Sequence, residues 1–432
     1  MNKIHFLGIG GAGQSALAEL LLARDWQVSG CDLKSSAVIE QLTVKGARIK
    51  VDGHHPNHCH NHQLLVYTTR LSPEGERERE AARAAGLRVL SRPQMLAELL
   101  ADSPSLGVAG THGKTTTTAM AGYLWRAAGW NPTLLVGDGH SSRVGGERIV
   151  AELDESDKSL VFYQPQVAVV TNVEFDHGDY YRDLADVQAT FAHFLQHLPA
   201  EGLAIICADD PWLLKQSSSA RRLTYGFASA ADYRCAPDGM ISRYGEQLGQ
   251  LRLDVPGQHN LQNATAVVAA AVESGMDLAM ALSGLHGFTG ARRRLERLGS
   301  WQGAVIYDDY GHLPTEVRVT LAAARELPHR RLLLVFQPHR FSRYLECGEG
   351  FIPALSGPER ADRTLITEIY SAGEPNPGGI SSRGLAEATE SDFATNLTEV
   401  QSWIEGEAQS GDLVLLMGAG NIREVGDVLA AR

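Results

Sequence analysis

Short apolar runs that end in glycine-rich or polar segments recur along the chain. The runs 3–9, 106–109 and 332–336 have the length and composition of buried strands. After the second run, apolar residues recur at helical spacing at Ala119, Met120, Tyr123, Leu124 and Ala127. Strands that alternate with amphipathic helices predict an α/β protein with mainly parallel sheets.

The same pattern continues through the chain and divides it into three parts. Further strands are predicted at 28–31, 64–67, 88–90, 167–172, 202–207, 304–307, 364–369 and 412–417, and one that begins at Ile149 and ends in an acidic run. Helices are predicted at 76–85 and 93–100. At about 150 residues per domain, the 432 residues suggest three domains. We predict a Rossmann-like N-terminal domain over 1–103, a central P-loop ATPase-type domain with a parallel sheet over 104–292, and a Rossmann-like C-terminal domain over 293–432.

A glycine-rich segment joins the strand at 106–109 to the helix that follows it. The segment consists of Gly110, Thr111, His112, Gly113, Lys114, Thr115 and Thr116. Loop N–H groups and a helix N-terminus bind phosphate, lysine reaches the outer phosphates, and the Thr115 hydroxyl can bind Mg²⁺. The spacing is a compressed form of the usual eight-residue pattern, because Val108 stands where that pattern has its first glycine. The alternative is a helix that merely begins with Gly and Thr.

Carboxylates follow two of the predicted strands in the central domain. Four of them fall within Glu152–Asp157, and Glu174, Asp176, His177 and Asp179 follow the strand at 167–172. Mg²⁺ prefers oxygen ligands and shares them with substrate phosphates, so a magnesium site beside the phosphate loop is favoured over a solvated acidic turn. Ligands bind at the carboxyl ends of parallel strands, so His177 is expected to face the same crevice.

The N-terminus contains a second glycine-rich loop. Gly8-x-Gly10-x-x-Gly13 follows the first strand, and Asp32 ends the next one, as in dinucleotide-binding units. This pattern alone keeps an NAD(P)-dependent enzyme open. Asp32 either binds a ribose or uracil edge or is a solvated carboxylate.

A histidine-rich segment lies between the strands of the N-terminal domain. Residues 53–62 contain five histidines and Cys59. Imidazole and thiolate are zinc ligands, but the spacing matches no named zinc motif. The alternatives are a metal site and a polar turn.

Polar side chains also follow the strands of the last third. Arg292, Arg293 and Arg294 form a basic cluster, which is either a phosphate clamp or a solvated turn. Asp308–His312 and Gln337–Arg343 come directly after buried strands, as in an open α/β sheet.

Composition excludes several classes of protein. The net charge of −12 argues against a nucleic-acid-binding surface. The five scattered cysteines contain no Cys-x-x-Cys and fit free thiols in a reducing compartment. The chain shows neither a signal segment nor an 18-residue apolar run, so we expect a cytoplasmic protein with no membrane insertion. We expect a monomer or a homodimer that acts on small molecules.

Taken together, these segments resemble the Mur ligases, a family of ATP-dependent amide-forming enzymes of bacterial cell-wall precursor synthesis. The resemblance is carried in order by residues 8–15, 110–117, 152–157, 171–179, 257–264, 293–294, 308–316 and 337–343. Residues 5–13, 154–157, 308–312 and 337–340 are most similar to the branch that joins L-alanine to UDP-N-acetylmuramate. The resemblance implies ATP and Mg²⁺ as cofactors, and domains that bind the UDP-sugar, ATP and the amino acid in turn.

The family also implies roles for individual residues. Lys114 would contact the β- and γ-phosphates, and Thr115, Glu155 and His177 would hold the metal ions. The adenine side would be formed by His259, Asn260 and Asn263, with Asp309 on the ribose and Arg293 or Arg294 near the γ-phosphate. His339, Arg340 and Arg343 would orient the amino acid and the muramyl carboxylate. The substrate contacts would come from Gly10, Gly11, Ala12, Gly13, Ser15, Asp32, His54 and His312.

The chain departs from the branch pattern at four places, and other functions stay open. The departures are Gln14, Thr68–Arg70, a shortened 138–146 loop and Leu313. A related ligase could attach a ready-made tripeptide in muramyl-peptide recycling or use another carboxylate donor. A non-catalytic nucleotide sensor needs no full metal set, and an oxidoreductase would leave the phosphate loop without a role.

Overall fold

The computed structural model describes residues 2–59, 61–69 and 71–432 as a mixed α/β protein with three sheets. The predicted α/β class with mostly parallel sheets is confirmed. His60 of the histidine-rich segment and Arg70 of the Thr68–Arg70 departure lie outside the described residues.

The first sheet has the order β3-β2-β1-β4-β5, and all its strands are parallel. The order reverses between β1 and β4, where open α/β sheets bind ligands. Its strands are β1 Lys3–Leu7, β2 Gln27–Cys31, β3 Arg48–Lys50, β4 Leu64–Tyr67 and β5 Arg88–Ser91. Its helices are α1 Ala12–Ala23, α2 Ala37–Val44, α3 Pro73–Ala84 and α4 Arg92–Ala101.

The second sheet has nine strands in the order β14-β13-β12-β11-β10-β9-β6-β8-β7. They are β6 Ser105–Ala109, β7 Thr133–Leu135, β8 Ile149–Glu152, β9 Val167–Val170, β10 Leu203–Cys207, β11 Arg221–Gly226, β12 Tyr233–Cys235, β13 Met240–Arg243 and β14 Glu246–Gln250. The last three pair antiparallel at one edge, which the sequence patterns did not predict. The helices are α5 Lys114–Ala127, α6 Leu184–Gln196, α7 Gln258–Glu273 and α8 Leu278–Ser283, with 3-10 turns at Ser159–Phe162 and Leu213–Lys215.

The third sheet has the order β15-β16-β20-β17-β18-β19, parallel except for the β15–β16 pair. Its strands are β15 Glu296–Trp301, β16 Ala304–Asp309, β17 Leu332–Phe336, β18 Arg363–Thr367, β19 Asp392–Ala394 and β20 Leu413–Met417. Its helices are α9 Pro314–Glu326, α10 Phe341–Cys347, α11 Phe351–Ser356, α12 Arg383–Ala388, α13 Leu397–Glu407 and α14 Arg423–Ala430, with a 3-10 turn at Gly348–Gly350.

The central strands of the third sheet are continuous apolar runs because both faces of the sheet are buried. Leu332, Leu334 and Phe336 pack into the core on one face, and Leu333 and Val335 into the core on the other. A strand covered by helices on both sides has no solvent face, so polar residues collect only after its end. The residues after β16, β17 and β20 therefore carry the polar chemistry of this sheet.

Backbone contacts divide the described chain into two units. The first comprises the described residues of Met1–Asp176, Tyr180–Leu251 and Asn263–Leu285, and it holds the first two sheets. The second comprises His177–Asp179, Arg252–Gln262 and His286–Arg432, and it holds the third sheet. The boundaries at 103/104 and 292/293 stay predictions. No helix in residues 2–59, 61–69 and 71–432 has the length and hydropathy to cross a membrane.

Candidate active site

The phosphate loop of the first unit begins at the end of a fully buried central strand. β6 lies between β8 and β9, and Gly110 leaves it with a φ of 136° that favours glycine. A Cβ on Gly110 would lie 1.9 Å from the Thr171 hydroxyl oxygen. Gly113, at φ 81°, caps α5, and a Cβ there would lie 2.9 Å from Asn263 Oδ1. Both glycines are therefore required by the backbone path.

The loop is fixed to the segment that follows β9. The N–H of His112 donates to Asn172 Oδ1 at 2.8 Å, and the Thr171 hydroxyl donates to the His112 carbonyl at 2.6 Å. The N–H of Glu174 donates to Thr111 Oγ1 at 2.9 Å. Because these bonds bridge two neighbouring strand ends, they hold the loop in one conformation. The structure therefore places residues 171–174 beside the loop, and the predicted position of His177 stays a prediction.

Lys114 points back into the loop and pairs with Glu155. Its Nζ lies 2.8 Å from each carboxylate oxygen of Glu155 and donates to the Gly110 carbonyl at 2.6 Å. Burial alone would lower the pKa of Lys114, but Glu155, Asp154 and Glu152 outweigh burial and raise it, so the ammonium stays charged. Burial raises the pKa of Glu155 to about 7, although Lys114 opposes this shift.

Glu152 is a second carboxylate beside the phosphate loop, and the predicted site residues did not include it. It ends β8, and its side chain accepts the Thr115 hydroxyl at 3.1 Å and the Gly137 N–H at 3.0 Å. Glu152 becomes a neighbour of the loop because it pairs with Val108 of β6. The Thr115 hydroxyl and the carboxylates of Glu152 and Glu155 are hard oxygen donors of the kind that bind Mg²⁺. These residues therefore fit the predicted metal.

The N-terminal glycine loop, also in the first unit, follows β1 at the switch point of the first sheet. The N–H of Gly10 donates to Asp32 Oδ2 at 2.8 Å, so Asp32 fixes the loop from the end of β2. A Cβ on Gly13 would lie 2.6 Å from Arg92 Cδ, and one on Gly139 would lie 3.0 Å from the Ala12 Cβ. The start of α1 thus lies close to α4 and to the 137–142 loop of the second sheet. Gly11, Ala12 and Ser15 belong to this α1 end, and the Ser15 hydroxyl donates to the Ala12 carbonyl.

Two of the predicted histidines have distinctive surroundings or backbone. The side chain of His54 is nearly buried, and its Nδ1 lies 3.1 Å from the Cys31 thiol. In the second unit, His177 adopts a left-handed φ of 60° within the segment His177–Asp179. Such a backbone is uncommon away from glycine and is frequent at functional sites.

The arginine cluster of the second unit is tied to the ends of β16 and β20. Arg293 Nε donates to Asp308 at 3.1 Å, and its NH2 donates to the Gly418 carbonyl at 2.6 Å. Arg293 and Arg294 both lie over the Tyr310 ring, at 4.9 and 5.2 Å. Arg293 therefore anchors this edge of the sheet, and Arg294 is the better placed of the two for an anion.

Asp309 is buried in the same unit with both carboxylate oxygens occupied. They accept the N–H groups of Leu295 and Gly311 at 2.8 and 2.7 Å. Burial raises the pKa of Asp309 to about 6, and Arg294 opposes the shift. In this arrangement Asp309 shapes the loops after β16; its contact with a ribose stays a prediction.

His339, His312 and Arg343 lie together after β16 and β17. The His312 and His339 rings are 5.8 Å apart, and His339 stacks on Tyr370 at 5.7 Å. Arg343 NH1 lies 3.2 Å from His339 Nδ1. Burial, with the charges of His312, Arg343 and Arg340, lowers the pKa of His339 to about 3, so the imidazole is neutral. A neutral imidazole can accept a hydrogen bond from an ammonium group, and the neighbouring guanidinium can bind a carboxylate. Together they can hold both charged groups of an amino acid.

Arg340 joins this group from a left-handed backbone, at φ 66°. Its guanidinium pairs with Glu374 and lies 3.5 Å from Asp179 Oδ2. The Glu374 carboxylate also accepts the Ser342 N–H at 3.0 Å. Glu374 orients Arg340 from 34 residues away, and no sequence signal near Arg340 marked it.

Helix α7 carries the residues assigned to the adenine side. Asn260 Nδ2 donates to the Pro256 carbonyl at 2.6 Å in the second unit, and Asn263 lies against Gly113 in the first. Burial, with the charge of Arg294, lowers the pKa of His259 to about 4. His259 is therefore an uncharged donor or acceptor at neutral pH.

The sequence matches family models along most of its length. The Mur ligase family catalytic domain model covers residues 3–103, the Mur ligase middle domain model 108–271, and the Mur ligase glutamate ligase domain model 293–420. The chain belongs to the Mur ligase family, and it is an ATP-dependent amide ligase.

Individual relatives narrow the comparison within the family. The UDP-N-acetylmuramate–L-alanine ligase of Desulforamulus reducens is 39% identical and aligns over 100% of this chain and 98% of its own. The crystal structure of the UDP-N-acetylmuramate-alanine ligase of Thermotoga maritima is 26% identical, covers 100% and 99% of the two chains, and has a TM-score of 0.77. A murein peptide ligase structure from Psychrobacter arcticus is 26% identical, covers 100% and 98%, and has a TM-score of 0.66.

Proposed function

We propose that the chain joins the amine of L-alanine to the carboxylate of UDP-N-acetylmuramate, with conversion of ATP to ADP and phosphate, in peptidoglycan precursor synthesis. The observation that carries the proposal is that two residues of the phosphate loop contact carboxylates at the end of β8: Lys114 pairs with buried Glu155, and the Thr115 hydroxyl donates to Glu152. Full-length relatives at 37–39% identity carry that ligase name and support the choice of substrates.

The phosphate loop would hold the ATP phosphates. N–H groups from Gly113 onward open α5, whose positive end favours an anion. The Lys114 ammonium would leave the loop carbonyls for the outer phosphates. Thr115, Glu152, Glu155 and His177 would hold Mg²⁺, which supplies neutralisation of phosphate charge when it is bound.

In the first step, an oxygen of the substrate carboxylate attacks the γ-phosphorus of ATP. The bond between the γ-phosphorus and the β–γ bridging oxygen breaks, and ADP leaves with that oxygen. The product is an acyl phosphate. Lys114 and Arg294 would stabilise the charge spread over the transferring group, which is the main catalytic contribution in phosphoryl transfer.

In the second step, the amine of alanine attacks the acyl carbon. The tetrahedral adduct expels inorganic phosphate, and the amine proton passes to phosphate or to solvent. His339, Arg340 and Arg343 would orient the amino acid, since two guanidinium groups match a carboxylate. The Glu374–Arg340 pair would set the direction of one of them.

The UDP-sugar would bind at the switch point of the first sheet. The first turn of α1, which includes Gly13, would offer N–H groups to a diphosphate. Gly10, Gly11 and Ser15 would shape the loop, since their N–H groups donate to Asp32 and to the Gly8 and Gly11 carbonyls. The Asp32 carboxylate accepts the N–H of Gly10, so it would keep this loop in place. The carboxylate would also face the nucleoside. We further propose a cytoplasmic location, where nucleotide substrates are available, and a monomer or homodimer.

The decisive experiment is phosphate release with ATP, Mg²⁺ and UDP-N-acetylmuramate while the amine is varied. We expect release that requires both the sugar nucleotide and L-alanine, and the amide product in equal amount. The murein tripeptide is the matched competing amine, because a murein peptide ligase shares the fold. Faster turnover of the tripeptide, or full-rate release without an amine, would overturn the proposal.

A further inference from the structure

Four side chains that can bind a metal converge inside the first sheet, remote in sequence from the phosphate loop. They are His5 of β1, Cys31 at the end of β2, His58 of the histidine-rich segment and Glu78 of α3. One donor atom from each lies within 4.8 Å of all the others. His5 is 2% exposed, and Cys31 and Glu78 are fully buried. Three of the four residues therefore lie in the core, and His58 covers them from the 53–62 segment with its side chain 4% exposed.

The contacts of the two Glu78 oxygens are close to the ligand spacing around a tetrahedral ion. His5 Nε2 lies 3.2 Å from Glu78 Oε1, and Cys31 Sγ lies 3.5 Å from Glu78 Oε2. His58 Nδ1 lies 3.8 Å from Glu78 Oε2. Ligands at zinc-bond lengths of about 2.0–2.3 Å stand roughly 3.3–3.8 Å apart in a tetrahedron. All the donor atoms lie within 4.8 Å of one another, so an ion at the centre would draw the side chains inwards by about 1–1.5 Å at most.

Polar atoms in the cluster lack hydrogen bonds. Among the described residues, His5 Nε2, His58 Nδ1 and Glu78 Oε1 are buried and have no hydrogen-bond partner. His5 Nδ1 lies 2.7 Å from the Ser29 hydroxyl, which also lies 2.8 Å from His62 Nε2 and 3.3 Å from the Ile4 carbonyl. In the tautomer with the proton on His5 Nδ1, His5 Nε2 carries a lone pair and faces Glu78 Oε1. A shared cation would then satisfy both of these buried atoms.

Surrounding groups orient the four donors as an outer shell does in metal sites. Asp52 Oδ1 lies 3.5 Å from His58 Nε2, which leaves Nδ1 directed at the cluster. The N–H of His55 donates to Glu78 Oε2 at 2.7 Å. His54 Nδ1 lies 3.1 Å from the Cys31 sulfur, where an N–H can donate to a thiolate.

We propose that His5, Cys31, His58 and Glu78 bind one divalent transition-metal ion of the Zn²⁺ class. Two imidazoles, one thiolate and one carboxylate form a complete tetrahedral set, so no position is left for a reacting water, and the ion is structural. On binding, the Cys31 thiol releases its proton to solvent. The ion joins β1, β2, α3 and the 53–62 segment, and it is independent of the ligase chemistry.

The test is metal content and Co²⁺ spectroscopy of the full-length chain. After chelation and dialysis, Zn²⁺ and then Co²⁺ are titrated in the presence of excess Mg²⁺, which does not compete for thiolate. We expect one Zn²⁺ per chain and a sulfur-to-cobalt charge-transfer band. Cys31→Ser should lose the band. Cys59→Ser is the matched control, because Cys59 is also buried, next to His58 in the 53–62 segment, but lies outside the cluster.

Two further measurements separate a metal site from a hydrogen-bonded network. Asp52→Asn, at a positioning residue, should weaken Zn²⁺ binding roughly 10-fold, while circular dichroism stays unchanged. Zn²⁺ should raise the melting temperature of the wild type and of Cys59→Ser, but not of Cys31→Ser. Metal content well below one ion per chain in the wild type, or an unchanged cobalt band in Cys31→Ser, would overturn the proposal.

Discussion

The ammonium of Lys114 lies 2.8 Å from both oxygens of the Glu155 carboxylate, and Glu155 is almost fully buried. In this arrangement each charge compensates the other in a region with little solvent. A phosphate that binds the loop would compete with Glu155 for the lysine. Nucleotide binding would then free the carboxylate for a metal ion, so the pair couples the two ligands.

Replacement of Lys114 by alanine should reduce ligase turnover by about 10²–10³-fold, because the transferring phosphate loses a fixed cation. The variant should also lose more stability than the wild type between pH 6 and pH 8. Without Lys114 the pKa of buried Glu155 rises above its wild-type value of about 7, so the folded chain keeps a proton that the unfolded chain releases. Steady-state kinetics and thermal melts at both pH values measure these effects. Lys215→Ala, at an exposed lysine, is the control, and equal losses in both variants would contradict the assignment.

Glu152→Gln should raise the Mg²⁺ concentration for half-maximal activity about tenfold or more, because the carboxylate beside the Thr115 hydroxyl is lost. Excess chelator should abolish turnover of the wild type. The measurement is initial rate against free Mg²⁺ at saturating substrates. Glu147→Gln changes an exposed carboxylate of the same region and should not alter the Mg²⁺ concentration for half-maximal activity. If Glu152→Gln also left this concentration unchanged, Glu152 would have no role in metal binding.

Gly110→Ala should lower the free energy of unfolding by more than about 3 kcal/mol and abolish stabilisation by ATP. The added Cβ meets the Thr171 hydroxyl at 1.9 Å on a backbone at φ 136°. Gly129, at φ 77° with open space around its Cβ position, is the matched control. Its replacement should cost only about 1–2 kcal/mol and preserve the ATP effect in denaturation and thermal-shift measurements. Similar losses in the two variants would argue against a rigid loop.

The wild type should lose stability as pH falls from about 6.5 towards 4, in part through His259. The pKa of this buried histidine is lowered to about 4, so in this window the unfolded chain takes up a proton that the folded chain does not. The effect is on the order of 3 kcal/mol at most. His259→Gln should flatten the pH dependence of the melting temperature, whereas His286→Gln, at an exposed histidine, should not. An unchanged slope in His259→Gln would refute the assignment.

Local patterns predicted the elements that carry the phosphate loop. β6 and α5 begin and end within a residue or so of their predicted positions, because glycine, lysine and apolar spacing act within a short window. The three antiparallel strands β12, β13 and β14 were not predicted. They are short, β14 is largely exposed, and none of them contains an apolar run. Tertiary pairing, rather than local sequence, forms that edge.

The side-chain partners of the candidate site depend on contacts that sequence spacing does not encode. The acidic run at 152–157 was evident, but the pairing of β8 with β6 decides that Glu152 faces Thr115. Glu374 reaches Arg340 from a distant loop. The histidine-rich segment was ambiguous because its partners His5, Cys31 and Glu78 come from three other elements.

The central position of β6 has a consequence for the thermodynamics of ligand capture. Neighbouring strands flank it on both sides, and the loop that follows is bonded to the adjacent strand end. Its conformational entropy is therefore lost once, when the chain folds, and not at each encounter with a nucleotide. Because the phosphate loop is ordered before the nucleotide binds, association should be rapid. The enthalpy of nucleotide binding should then reflect new ionic contacts rather than ordering of the loop.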